Sequence, residues 1–217
     1  MIVVLLRLEP HNSAIVIIAC TAGAMLFLGG VKYRWFVLGG CAMLLGLILI
    51  LGAGGYEASR ITAWQDPFSD PTDDGYQIIQ SLYAIGSGGL FGLGFGQGRQ
   101  KYLYLPEEHN DYIFSIACEE LGLTGAAAIL LLYALLILRG YWISMHIRDR
   151  FLSLTVAGIT TLTALQVFFN IGVVTNLLPS TGISLPFFSY GGTALLIQLG
   201  EMGIILGASR QCSVGFL

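Results

Sequence analysis

Charged residues are scarce in this chain of 217 residues: they make up 11% of it, against 55% hydrophobic residues. A soluble domain carries about 25% charged residues. The composition therefore excludes an ordinary soluble domain and predicts an integral membrane protein. The net charge of −3 gives no indication of nucleic-acid binding, and we expect no nucleic acid among the partners.

Cysteines at metal-ligand or disulfide-framework spacing are also absent. The four cysteines are interpreted as small buried hydrophobes, with no disulfide framework and no zinc site; they are Cys20, Cys41, Cys118 and Cys212. A cleavable signal peptide is not recognised either. The apolar residues 1–6, which Arg7 interrupts, look instead like the end of an earlier helix.

A nucleotide-binding loop is not expected, although residues 86–98 contain seven glycines. No register gives a full GxGxxG motif, and no strand precedes the glycines. Two interpretations stay open. The segment is a flexible loop with exposed backbone, or its N–H groups approach a phosphate or sugar closely.

Long apolar runs dominate what is present. A span needs about 20 mostly apolar residues, and five runs approach that length: residues 13–30, 35–54, 112–138, 151–178 and 193–208. The sequence therefore predicts an all-α integral membrane protein, a polytopic helical bundle of about five transmembrane helices. We treat residues 1–217 as one membrane domain with a large extracytoplasmic loop over residues 55–110.

Basic residues of the short loops predict the orientation. Alternation of the spans brings six of them to one side, which we assign as cytoplasmic: Lys32, Arg34, Arg139, Arg148, Arg150 and Arg210. The opposite side receives the acidic loop 55–110 and a loop over residues 178–192. Within the long loop, Asp-Pro pairs predict turns, and residues 77–85 have the apolar spacing of a helix at the membrane surface.

The unusual chemistry lies in residues 101–114, where three acids, a histidine and a lysine precede an apolar run. They are Lys101, Glu107, Glu108, His109 and Asp111. Carboxylates at the mouth of an apolar helix are costly, so they are candidates for function; the alternative is a solvated acidic loop. We expect Glu119, two turns beyond Asp111, to face a cavity, or to make a polar contact between helices.

Four motifs, in order, resemble the SEDS family, which includes FtsW, RodA and SpoVE. They begin at Gln80-Ser-Leu-Tyr, Leu105-Pro-Glu-Glu-His-Asn-Asp, Glu119-Glu-Leu-Gly and Pro186-Phe-Phe-Ser-Tyr-Gly-Gly. The resemblance covers nearly the whole chain and leans slightly toward the division member, FtsW. It implies the second half of a ten-span fold and a glycosyltransferase that polymerises lipid II on the outer face of the bacterial inner membrane.

The resemblance also implies site residues. The family's essential aspartate matches Asp111, although Asn110 and Tyr112 depart from the usual residues on either side. We expect Asp111 to act as general base and expect substrate binding from a wider group: Arg99, Lys101, Glu107, Glu108, His109, Ser189, Tyr190 and Gly191. The two cations would face the leaving diphosphate. Glu107, Glu108 and His109 would orient Asp111 or bind a divalent cation such as Mg or Mn.

A partner follows from the resemblance as well: a class B penicillin-binding protein, which is a single-span transpeptidase. Two other classes of function stay open at this point. One is a flippase or transporter of lipid-linked precursors, and the other is a membrane scaffold without catalysis. The apparent absence of a first half keeps the scaffold interpretation open.

Overall fold

The computed structural model describes residues 12–35, 37–40, 63–69, 71, 75–100 and 109–212. Its α-helices of defined extent are α1 (Asn12–Leu28), α2 (Tyr76–Gly88), α3 (Ile113–His146), α4 (Arg150–Val174) and α5 (Gly192–Ser209), with a short 3-10 helix at Pro67–Ser69. Three of them, α3, α4 and α5, are long and apolar enough to cross a membrane. The predicted all-α membrane bundle is confirmed.

The remaining predicted spans have different outcomes. The first run forms α1, which has 17 residues, fewer than the about 20 that a straight span needs. The second run, residues 35–54, lies mostly outside the described residues. The fourth run ends at Val174 and not at residue 178, because Asn176 adopts a left-handed backbone with φ 58°. The surface helix predicted over residues 77–85 is α2.

The predicted basic loops lie together at one end of the bundle, as the contacts between helix ends show. The guanidinium of Arg150, at the start of α4, donates to the Gly29 carbonyl just after α1 (2.7 Å). Ile147, after α3, forms an isolated antiparallel bridge with Cys212, after α5. Both residues pack in a buried apolar cluster with Ile143. Four helix ends therefore meet here, and we call this region the basic end.

Helices α3 and α4 form a close antiparallel pair. Gly140 lies so near Thr160 that a Cβ added at this glycine would overlap the threonine hydroxyl. One turn nearer the basic end, the Ser153 hydroxyl donates to the Ser144 carbonyl (2.7 Å). Small residues permit such close approach in membrane helices. The pairing also fixes which levels of the two helices face each other.

A sharp bend at Gly122 divides α3. This glycine has φ 67° and ψ −168° inside an otherwise helical segment. The bend brings Tyr112 into the same buried cluster as Tyr133, whereas 21 residues of straight helix would separate them by about 32 Å. The first segment of α3 therefore folds back beside the second, with Gly122 at the apex. Asp111 lies just before this first segment, and its main-chain oxygen meets Asn170 near the end of α4.

Candidate functional site

A buried side-chain amide in α4 fixes the main chain of Asp111. The side chain of Asn170, 2% exposed, donates from Nδ2 to the main-chain oxygen of Asp111 (2.7 Å) and to that of Ile183 (2.8 Å). One polar side chain inside a span therefore fixes two stretches of irregular backbone. In a membrane interior such carbonyls need partners, and Asn170 supplies them.

The segment from Thr175 to Gly191 follows α4, and we call it the return loop. Part of it is buried in the bundle next to Asn170. Leu185 and Pro186 within it are almost completely buried. The Tyr133 hydroxyl donates to the Pro186 carbonyl. Phe187 adopts a left-handed φ of 66°, which is uncommon for a bulky residue. Its N–H donates to Gln198 Oε1 of α5 (2.8 Å), so α5 holds this conformation.

The return loop meets the predicted catalytic segment at its far end. The Ser189 hydroxyl donates to the Asn110 carbonyl (2.6 Å) and accepts from the N–H of Leu185 (2.7 Å). The N–H of Tyr190 donates to the His109 carbonyl (2.8 Å). The structure therefore places Ser189 and Tyr190 against the two residues that precede Asp111. Their contacts position backbone, and a part in substrate binding remains a prediction.

A glycine borders the Asp111 carboxylate. Asp111 is half-buried, and a Cβ added at Gly182 would lie 3.5 Å from its Oδ2. Gly182 itself is exposed. The return loop therefore approaches the carboxylate through a residue that has no side chain.

Glu119 and Glu120, by contrast, hold the glycine-rich loop. We use that name for residues 89–100, which follow α2. Glu119 is 1% exposed, and its carboxylate accepts from the N–H of Arg99 (2.7 Å) and of Gln100 (3.2 Å). Glu120 Oε2 accepts from the N–H of Gly96 (3.0 Å). The expected exposed backbone is wrong for much of this loop, because two buried carboxylates accept from its N–H groups; its flexibility stays a prediction.

The bend in α3 explains why the loop lies there. A break in a helix strands N–H and C=O groups on its two sides. The Glu119 and Glu120 carbonyls accept from Leu93 (3.0 Å) and Gly94 (3.1 Å) of the loop. The stranded N–H groups beyond the break are equally satisfied by loop carbonyls: Leu123 donates to Gly89 (2.9 Å) and Thr124 to Leu90 (3.1 Å). At least five loop N–H groups are thus occupied by the two glutamates, which weakens the idea that this backbone binds a phosphate.

An open cavity of about 820 Å³ lies between α2 and the glycine-rich loop. Its polar lining includes Arg99, Gln100 and Glu119, and its apolar lining includes Leu82 and Leu93. The expectation that Glu119 faces a cavity is therefore met, although its oxygens bind loop N–H groups. Arg99 is exposed and contributes a cation to this space.

Some predicted site residues lie outside the described residues, namely Lys101, Glu107 and Glu108. His109 is described and exposed. Among the residues that the structure describes, no three His, Cys, Asp or Glu side chains gather closely enough to hold a metal ion. A divalent-cation site would depend on the two glutamates before His109, so it stays a prediction.

Sequence reasoning missed Asn170 and Gly182 as residues of this site. Asn170 could have been found as a strong polar residue within an apolar span, which is costly unless it has partners. Gly182 gives no such signal, because its importance arises only from the fold of the return loop.

The comparisons with known proteins all indicate the same family. The model of a family described as cell cycle protein, FtsW/RodA/SpoVE, matches residues 1–213. The chain is 45% identical over 202 residues to stage V sporulation protein E of Bacillus subtilis, covering 93% of this chain and 55% of that protein. It is 42% identical over 210 residues to the probable peptidoglycan glycosyltransferase FtsW of Geobacter sp. strain M18, covering 97% and 57%.

Two solved structures are similar. One was described as showing structural coordination of polymerization and crosslinking by a peptidoglycan synthase complex; the TM-score is 0.77 at 28% identity, over 98% of this chain and 60% of that one. The other is an aspartate-to-alanine mutant of the rod shape determining protein RodA of Thermus thermophilus, with a TM-score of 0.63 at 26% identity, over 98% and 54%. The chain spans little more than half the length of the curated relatives it matches.

Proposed function

Because this chain belongs to the FtsW/RodA/SpoVE family of cell cycle proteins, we propose that it carries the catalytic part of a peptidoglycan glycosyltransferase. The enzyme would join lipid II units into glycan strands on the outer face of the bacterial inner membrane, during cell division or elongation. The observation that carries the proposal is the environment of Asp111. Its backbone is fixed by a buried amide, and its half-buried carboxylate lies beside Gly182.

Asp111 acts in this proposal as the general base. A hydroxyl oxygen of the acceptor sugar attacks the anomeric carbon of the donor sugar, and its proton passes to the Asp111 carboxylate. The bond between that carbon and the diphosphate oxygen breaks, and its electron pair leaves with the lipid diphosphate. Attack from the opposite face inverts the anomeric configuration. A positioned base of this kind contributes typically about 10²–10⁴-fold to a rate.

Positive charge would stabilise the leaving diphosphate. Arg99 lines the cavity between α2 and the glycine-rich loop, and the buried Glu119 carboxylate holds its N–H. We assign Arg99 this role, together with Lys101. In the sequence, Arg99 and Lys101 precede Asp111 by twelve and ten positions.

The alternative of a lipid flippase is less well supported by these contacts. Such a path would use acids within the spans, and Glu119 and Glu120 are two of them. Their oxygens bind N–H groups of the glycine-rich loop. Acids engaged in this way stabilise a fold and do not form a continuous polar route across the bundle, which favours the enzymatic proposal.

We also propose a class B penicillin-binding protein as partner, since a similar solved structure is described as a synthase complex that coordinates polymerization and crosslinking. Lipid II is the proposed substrate. Because the chain covers about half of its relatives, the reconstitution includes this partner and is run with and without a co-expressed N-terminal half.

The test is lipid II polymerisation by the reconstituted protein, comparing Asp111→Asn with Asp149→Asn. Asp149 caps α4 at the basic end, where its Oδ1 accepts from the N–H of Phe151 (3.0 Å), and asparagine serves equally well as a cap. We expect glycan strands from the wild type and the Asp149 variant, and none from the Asp111 variant. Equal product from both variants would overturn the assignment of the base.

A further inference from the structure

We propose that the tip of the glycine-rich loop inserts into the lipid leaflet beside the apex of α3, and that it anchors the loop to the bilayer. The tip consists of Leu90, Phe91, Leu93 and Phe95. All four are exposed; Phe91 and Phe95 have exposed fractions of 81% and 87%. Exposed apolar side chains in one short segment mark a surface that something covers.

The position of the tip relative to the hydrocarbon core indicates that lipid covers it. Residues 121–138 of α3 are an uncharged run of eighteen residues, bounded by Glu120 and by Arg139. Beyond the bend at Gly122, residues 123–138 rise about 24 Å, which approaches the about 30 Å thickness of the hydrocarbon core. The apex at Gly122 therefore lies at one edge of that core, and the basic end lies beyond the other.

Hydrogen bonds fix the loop at that edge. Leu123 and Thr124 donate to the carbonyls of Gly89 and Leu90, and Leu93 donates to the carbonyl of Glu119. The tip is thus attached to the first residues of the apolar run and does not hang free in water. Leu123 itself is 61% exposed, so the tip and the lipid-facing side of α3 form a continuous apolar surface.

The residue types suit the interface between acyl chains and headgroups. Aromatic rings are enriched at that level of membrane proteins. Phe95 lies between two glycines, and Gly92 follows Phe91. Because these glycines have no side chains, the apolar side chains of the tip can reach the acyl chains while the backbone stays near the polar headgroup layer. Leu93 also lines the cavity, which therefore opens beside the bilayer surface.

The experiment is photocrosslinking with p-benzoyl-phenylalanine placed singly at positions 91 and 95, in protein reconstituted into phosphatidylethanolamine and phosphatidylglycerol vesicles. Both positions are so exposed that the bulkier side chain leaves the fold intact. Leu131, on the exposed side of α3 at 60%, is the positive control for lipid contact. Ser69, exposed at the end of the 3-10 helix, is the control in water.

We expect lipid adducts by mass spectrometry at both tip positions, at yields within a few-fold of position 131 and far above position 69. Yields no higher than at position 69 would show that the tip lies in water and would overturn the proposal. An adduct to another polypeptide segment, including a second copy or the remaining part of the protein, would also overturn it, since protein and not lipid would cover the tip.

Discussion

This region has two groups of acids, the pair Glu119 and Glu120 and, eight or nine positions earlier, Asp111 alone. The contacts of the two groups differ in kind. At the apex of α3, the Glu119 and Glu120 carboxylates are buried and accept from loop N–H groups. Near the end of α4, the contact from Asn170 to Asp111 uses the main-chain carbonyl, and the half-buried carboxylate borders a glycine. We therefore propose that Glu119 and Glu120 stabilise structure, whereas Asp111, whose segment is fixed through its main chain, performs the chemistry.

The largest effect that this comparison predicts is on the activity of Asp111→Asn. We expect polymerisation to fall by about 10²–10⁴, the usual contribution of a general base. The melting temperature of the variant should stay near that of the wild type, because the main-chain oxygen still accepts from Asn170. Paired measurements of rate and of thermal unfolding in detergent check this. If the variant unfolded readily, Asp111 would also stabilise the fold, and the proposed difference between the two groups of acids would be lost.

Glu119→Ala should show the opposite profile, a loss of stability. Removing the carboxylate leaves the N–H groups of Arg99 and Gln100 without their acceptor, and each unsatisfied donor costs about 1–3 kcal/mol. We expect a destabilisation of about 2–4 kcal/mol in the free energy of unfolding, and a smaller one for Glu120→Ala.

Activity of the Glu119 variant is the control for this prediction. Measured well below the melting temperature, it should decline only as far as the glycine-rich loop loosens. A fully stable Glu119→Ala protein that makes no glycan would assign Glu119 to the chemistry and remove the distinction between the two groups.

The sequence predicted the helices better than the path between them. Apolar runs located α3, α4 and α5 because lipid demands a long uncharged helix wherever the chain crosses it. The bend at Gly122 was not predicted, since the run over residues 112–138 has no proline and reads as one helix. Its cause is tertiary: the broken backbone finds partners in a loop about 30 residues earlier.

The candidate site likewise combines residues that local motifs indicate with residues that only the folded structure assigns. Asp111 and Ser189 could be proposed because their motifs are local in the sequence. Asn170 carries only the signal of a polar residue within an apolar span, and its two carbonyl partners come from segments 59 and 13 residues away. Residues that act by packing two distant loops together leave no local pattern, so only the folded structure assigns them.

Space beside Asp111 gives the next prediction, at Gly182. Alanine would place its Cβ 3.5 Å from Oδ2, an ordinary contact distance, so Gly182→Ala should retain most activity. Gly182→Leu extends over the carboxylate and should lower kcat/KM about tenfold or more, because small displacements of reacting groups are costly. Equal activity of the two variants would mean that substrate reaches Asp111 from another side.

The smallest effect is expected for Ser189→Ala, which sharpens the comparison from the side of the return loop. The substitution removes the bond to the Asn110 carbonyl and leaves the N–H of Leu185 without its acceptor. Each such bond is worth about 0.5–1.5 kcal/mol, so we expect a modest loss of stability and an activity loss of a few-fold. Ser189→Thr keeps the hydroxyl and should recover most of both. If Ser189→Ala instead abolished polymerisation in a stable protein, the hydroxyl would contact substrate, and the site would extend from Asp111 into the return loop.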